Sequence, residues 1–203
     1  KPLQSLGSSL VIENTVNTFR RAGIEDILVI VGYKSNLLIP LLKRLDVQAI
    51  FNPQYQHGMY SSILTGVRAL PKDTDYFFLL PGDLPFVAPE SLEKILAEAV
   101  KHGSMDILYP STQGKRGHPP LVSTRCCPIL LNSNPVGGLK EVLENREFSS
   151  LELEVDDPGI LLDLDTAADY QNAKELWHSK ERLVAFPSSK QCLELLRQNP
   201  YGE

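Results

Sequence analysis

Apolar positions recur in two alternating rhythms along the front of the chain. From Ser9, the stretch SLVIENTVNTFRRAG places Leu10, Val11, Ile12, Val16 and Phe19 at helical spacing, with Gly23 as a C-terminal stop. ILVIVG after Asp26 is an unbroken β-branched run, the pattern of a strand buried on both faces. Ser35 is placed to cap a second helix, NLLIPLLKRL, and Val47–Phe51 reads as a short strand. A helix is expected over Gly58–Leu70, a buried strand over Asp75–Leu80, and an amphipathic helix from Pro89 to Gly103, followed by a strand after Asp106. Strands alternating with helices of this length imply βαβ units, hence a mostly parallel sheet with helices on both faces.

The rhythm then changes. Ser111–Val136 is rich in Gly, Pro, Ser and Asn, with one strand candidate at Pro120-LVS. A short helix follows Gly138; Leu151-ELEV and Gly159-ILLDL resemble strands; a long helix begins at Thr166. A further helix is expected after Pro187, and the one plausible boundary lies near Ala185–Pro187. The expected organisation is one domain over residues 1–180 and a linker or helix over 181–203.

Composition narrows the function classes. The chain has 203 residues and 42% hydrophobic content, enough for one sizeable core. Net charge is -5, with Lys and Arg scattered rather than striped, so there is no electrostatic footprint for nucleic acid. No apolar run approaches the roughly 20 residues needed to cross a bilayer, and no signal peptide opens the chain, so a cytoplasmic protein without a membrane partner is expected. Cys126, Cys127 and Cys192 fit no zinc or redox spacing and read as small buried thiols. The histidines form no metal-binding array.

The chemistry is therefore sought among the acids. FFLLPGDLPFV runs a buried strand into Asp83, held between Gly82 and the prolines Pro81 and Pro85. Ligands of open α/β sheets bind beyond the carboxyl ends of strands, so Asp83 is either a ligand or a turn cap. GILLDLDTAADY brings Asp163 and Asp165 to one face of an expected strand end, with Asp165 also placed to cap the following helix and Asp169 to complete a capping box. Separated acids brought together at strand ends suit Mg²⁺, which takes a few carboxylate oxygens plus substrate phosphates. HGMYSSILTGV offers a helix N-terminus with Ser61 and Ser62, suited to a phosphate or a base carbonyl. GKRGHPPLVS places Lys115, Arg116 and His118 in a glycine-flanked loop, able to hold an anion or simply to be surface.

In order along the chain stand Lys1-Pro2-Leu3, Asn52-Pro53, Gly58-Met59-Tyr60-Ser61-Ser62, Gly82-Asp83-Leu84-Pro85, Gly117-His118-Pro119, Gly137-Gly138 and Asp163-Leu164-Asp165-Thr166. This ordered set resembles the MobA-like nucleotidyltransferase family, and within it the molybdenum cofactor cytidylyltransferase branch, over roughly residues 1–176. The resemblance implies a Rossmann-like three-layer α/β sandwich of the nucleotide-diphospho-sugar transferase type. It also implies transfer of a nucleotidyl group from an NTP, CTP favoured, to a molybdopterin-type acceptor with release of pyrophosphate. It makes Lys1 a phosphate contact and Asp83 a Mg²⁺ ligand, with Asp163 the candidate second ligand and Asp165 the competing choice. Ser61 and Ser62 would line the nucleotide and acceptor pocket; Asn52, Gly58, Met59, Gly82 and Pro85 would be further substrate-binding residues; Gly117 and His118 would face the acceptor. The family's glycine-rich loop is expected before Lys1, and Ala167 stands where the family usually has proline. The end of the chain resembles a linker toward an HD-type domain. A sugar-phosphate nucleotidyltransferase, or a non-catalytic carrier that hands the cofactor to a molybdoenzyme apo-protein, stands as an alternative.

Overall fold

The computed structural model describes residues 1–183. A small hairpin, β1 (Ser5–Leu6) and β2 (Ser9–Leu10), leads into α1 (Val11–Arg21), then β3 (Leu28–Val31), α2 (Ser35–Arg44) and β4 (Gln48–Phe51). A 3-10 turn at Tyr55–His57 precedes α3 (Met59–Ala69), β5 (Tyr76–Phe78) and α4 (Pro89–Lys101). There follow β6 (Ile107–Thr112), β7 (Lys115–Arg116), β8 (Leu121–Ser123), α5 (Cys127–Asn132), α6 (Leu139–Leu143) and β9 (Ser150–Glu154). A 3-10 turn at Pro158–Leu161 and α7 (Ala167–Leu183) complete the described residues.

Helix ends follow local chemistry. The Glu13 carboxylate accepts the Leu10 main-chain N–H at 2.7 Å, satisfying a donor that α1 would leave unpaired. Gly23 ends the same helix at φ +75°, its N–H returning to the Arg20 carbonyl at 2.9 Å. Ser35 is not the cap expected of it: it is the first helical residue, and the cap position is Lys34, left-handed at φ 54° with no side-chain cap bond.

The strands place their side chains in rows. β3 and β4 are parallel, joined through α2, and pair Val29 with Ala49 and Ile30 with Ile50. β8 lies antiparallel between β5 and β6, and β6 pairs in parallel with β9 on its other side. Phe77, Val122 and Ile107 form one row, packed with Val67 of α3, Leu130 of α5 and Val142 of α6. The adjacent row, Phe78, Leu121 and Leu108, faces Ile95 and Ala99 of α4. Ile12 and Val16 of α1 pack with Leu41 and Leu42 of α2 over Val31. The five-stranded sheet is thus covered on both faces, and β3 and β4 form a separate parallel pair beside α1 and α2.

Several expected strands are shorter or absent. The Asp75–Leu80 strand contracts to Tyr76–Phe78, and β3 is half-buried except at Val31. Among the described residues, β3 pairs only with β4 and β5 only with β8, so each is screened on one side. The strand expected over Gly159–Leu164 does not form; Pro158–Leu161 is a 3-10 turn. Its cause is the Asp-Pro-Gly start: the Asp157 carboxylate accepts the Gly159 N–H at 2.9 Å, and Pro158 sets the first helical φ. The start of the irregular Ser111–Val136 region is an ordered hairpin over residues 111–116 whose turn residues, Gln113 and Gly114, both have positive φ, the conformation that matches strand twist.

Burial, and then the Asp106 carboxylate, push the Cys126 thiol up to about 12, so it is an inert packing group. Among the described residues no helix is long and apolar enough to cross a membrane. Of the linker or helix expected over 181–203, residues 181–183 belong to α7; the rest, with the helix expected after Pro187, lies outside the described residues.

Candidate functional site

Three distant segments converge on one cation. Lys1 belongs to a short turn pinned to the start of α1: Gln4 N–H bonds the Lys1 carbonyl at 2.9 Å, and Ile12 N–H bonds the Pro2 carbonyl at 3.0 Å. Asp83 sits in the turn after β5, with Leu84 N–H reaching the Pro81 carbonyl at 3.4 Å. Leu84, Pro85, Phe86 and Val87 behind it are all buried, so the turn is anchored on its far side. Asp165 precedes α7. Lys1 Nζ lies 2.7 Å from Asp165 Oδ1 and 3.5 Å from Asp83 Oδ2. The hydrogen bond that Lys1 donates to Asp165 chiefly, and the charges of both acids, raise the Lys1 pKa against the opposing effect of burial.

Asp165 is free for this contact because another residue caps α7. Thr166 Oγ1 accepts the Asp169 N–H at 3.1 Å, while the Asp169 carboxylate accepts the Thr166 N–H at 2.7 Å. The expected cap at Asp165 is therefore one residue early. α7 is held in place by Leu164 and Ala173 against Leu6, Val11 and Phe86, by Trp177 edge-on to Phe86 at 5.7 Å, and by the Tyr170 hydroxyl on the Ser5 carbonyl.

Asp163 and Asp165 do not share a strand face, since no strand forms there. Asp163 is exposed, and burial, then the charges of Asp165, Asp169 and Asp83, raise its carboxyl pKa. It belongs to the same negative field without touching Lys1. Among the described residues, no three His, Cys, Asp or Glu side chains cluster tightly enough to hold a metal ion by themselves. The space between Asp83 and Asp165 is nonetheless of cation size: an ammonium already sits within reach of both. Two carboxylates sharing a cation, open for further oxygens from a phosphate, fit a hard divalent ion.

The nucleotide-side candidates form a separate lock. Asn52 is 1% exposed and follows β4. Its Nδ2 donates to Ser61 Oγ at 2.9 Å and Ser62 Oγ at 3.0 Å, and its Oδ1 accepts the Gln54 N–H at 2.9 Å. The single Ser61 hydroxyl proton has two carbonyl acceptors in reach, Gln54 and Gly58, each at 2.8 Å. Both serine hydroxyls thus accept from Asn52, and that of Ser61 also has its donor partners. Gly58 opens α3 at φ +90°, a conformation that favours glycine, and Met59 beside it is exposed.

In the Gly117-His118 segment, His118 N–H donates to the Ile160 carbonyl at 2.8 Å, and Gly117 N–H to the Pro110 carbonyl at 2.8 Å. A Cβ on Gly117 would stand 2.6 Å from the Ile160 oxygen, so only glycine permits this approach. Burial lowers the His118 pKa, with the Asp163 charge opposing it, so the ring favours its neutral form. Arg116 is occupied: Nε bonds Glu152 Oε1 at 2.6 Å and the guanidinium lies 4.7 Å from the Tyr109 ring centre.

Sequence reading passed over Asp157. It is 5% exposed, and its carboxylate accepts from Ala88 N–H at 2.8 Å, Ser91 Oγ at 2.9 Å and Gly159 N–H at 2.9 Å. It ties the start of α4, behind the Asp83 turn, to the 3-10 turn leading toward Asp165. The Asp-Pro-Gly signature was the available signal.

The profile of the MobA-like NTP transferase domain matches residues 1–151. The molybdenum cofactor cytidylyltransferase of Escherichia coli is 29% identical over 150 residues, covering 73% of this chain and 74% of the relative. A 3-deoxy-manno-octulosonate cytidylyltransferase of Rickettsia felis is 29% identical over 112 residues, covering 54% and 44%. Among solved structures, the manganese complex of Mycobacterium tuberculosis Rv0371c superposes with a TM-score of 0.72 at 22% identity, over 86% of this chain and 91% of that one.

Proposed function

Because the chain belongs to the MobA-like NTP transferase family, we propose that it transfers CMP from CTP to a molybdopterin-type phosphate monoester. The observation that carries the reading is the single cation shared by Asp83 and Asp165, brought together from segments far apart in the chain. The similarity to the Escherichia coli cytidylyltransferase supports the choice of CTP and of a molybdopterin acceptor. The manganese complex of a structural neighbour supports a divalent ion, with Mg²⁺ the expected one.

Asp83 and Asp165 would hold that ion, with Asp163 adding negative potential beside them. When bound, the ion supplies charge neutralisation on the triphosphate. The Lys1 ammonium is placed to turn onto phosphate oxygens. Asn52, through Ser61 and Ser62, holds the opening turn of α3 in position for the nucleotide. The His118 imidazole, neutral near pH 7, and the Gly117 backbone face the acceptor. An oxygen of the acceptor phosphate forms the new bond to the α-phosphorus, and the bond from that phosphorus to the β-phosphate oxygen breaks. Pyrophosphate leaves with the electron pair. The acceptor oxygen is already anionic, so alignment and charge neutralisation suffice and no general base is needed.

The test supplies molybdopterin, Mg²⁺ and each of CTP, GTP, ATP and UTP, and measures pyrophosphate. CTP-dependent release that falls about a hundredfold or more in Asp83→Asn is the expected result. Release with a sugar phosphate or sugar acid but not with molybdopterin moves the reading to a sugar nucleotidyltransferase, the second candidate raised by the Rickettsia relative. Molybdopterin binding without any pyrophosphate release overturns the enzymatic reading in favour of a cofactor carrier.

A further inference from the structure

We propose that Lys1 is an internal counter-ion that competes with the divalent metal for Asp83 and Asp165, and so couples metal binding to phosphate binding. The inference rests on the metal reading above and adds an occupant to that site. Its ground is the geometry: Lys1 Nζ stands 2.7 Å from one carboxylate and 3.5 Å from the other. An ammonium at those distances and a divalent ion compete for the same two carboxylates, because their like charges repel at such close range. Lys1 is tethered through its own carbonyl to Gln4, so its backbone stays beside the site whichever partner its side chain takes. The side chain is 39% exposed and has room to swing.

In the absence of ligand, the Lys1 ammonium bridges two carboxylates that would otherwise repel each other and offsets one of their two charges. Metal entry must displace it, which weakens the affinity for metal alone. A triphosphate offers the displaced ammonium a better partner, so phosphate draws Lys1 off the acids and opens them to the metal. By linkage the effect is reciprocal: metal binding releases Lys1 for the phosphates. The site then resists loading by free metal and closes around the metal–nucleotide pair.

The experiment titrates Mn²⁺ alone into the wild-type protein and Lys1→Met, following free Mn²⁺ by EPR. Mg²⁺ is then added to ¹³C-lysine-labelled protein while the Lys1 Cε–Hε signal is observed, assigned by its loss in Lys1→Met. Direct competition predicts Mn²⁺ affinity about fivefold or more higher in Lys1→Met, within the usual range of coupling between sites. It also predicts Lys1→Arg near wild type, and a Lys1 signal that moves to the value of a free lysine as Mg²⁺ saturates. Equal or weaker Mn²⁺ binding by Lys1→Met, or saturation with the Lys1 signal unmoved, overturns the proposal while leaving the metal site intact. Tighter binding that persists in Lys1→Arg shows that charge is not what matters and also overturns it. No Mn²⁺ binding by either protein removes the metal site itself, and the competition with it.

Discussion

Asp157 illustrates how one buried carboxylate fixes a site it does not enter. Its oxygens take donors from Ala88, Ser91 and Gly159, so truncation leaves those donors without a partner in a dry setting. Asp157→Ala is expected to cost about 2–4 kcal/mol, read as a lower midpoint in urea unfolding at unchanged slope. Gly117→Ala tests a different force. The added methyl would meet the Ile160 carbonyl at 2.6 Å, so the hydrogen bond from His118 to that carbonyl must break or the turn must shift. The expected loss is about 1–3 kcal/mol, with amide exchange at His118 accelerated. At this scale the turn at Asp83 was legible in the sequence, because prolines and a glycine around a lone acid end the strand, but its pairing with Lys1 was not. Nor was the partner acid. Asp163 and Asp165 look equivalent until Thr166 takes the capping role and leaves Asp165 free for Lys1.

Elements were legible in proportion to their periodicity. α1 and α4 appear where the apolar spacing, the Gly23 stop and the Pro89 start put them. The apolar run after Gly159 failed as a strand because three consecutive apolar residues carry no period, and local Asx-Pro chemistry decided the outcome. The joint between β6 and β9 offers a test at this scale. The Asp106 carboxylate accepts from Ser149 N–H at 2.9 Å and Ser149 Oγ at 2.8 Å, and pairs with Arg125 at 3.3 Å. Burial opposes its charge, but these partners outweigh burial and hold its carboxyl pKa below the usual value. A depressed folded pKa means the unfolded chain takes the proton more readily. The contribution of Asp106 is therefore present above the unfolded value of about 3.9 and lost as pH falls through the folded one. The stability gap between wild type and Asp106→Asn should be full at pH 7 and shrink below about pH 4; a gap constant down to about pH 3 contradicts this ionic role.

At the scale of the molecule, α7 closes the site. It is the last described element, yet it packs on the first hairpin and on Phe86, and so brings Asp165 to Lys1 across 164 positions of sequence. Trp177→Ala removes a half-buried ring from that seam and is expected to cost about 2–3 kcal/mol, less than a full core truncation. If α7 positions Asp165, the same variant also weakens Mn²⁺ binding, whereas unchanged Mn²⁺ affinity would detach α7 from the site. Periodicity and turn chemistry, which act over a few residues, determined by themselves the βαβ alternation, the strand-to-loop passage at Asp83 and the glycine positions. Which acid joins Asp83, which residue caps α7, and that Lys1 stands between the two carboxylates were decided only by tertiary structure. Those outcomes depend on how distant buried faces dock, and no local pattern encodes the distance between residues 1, 83 and 165.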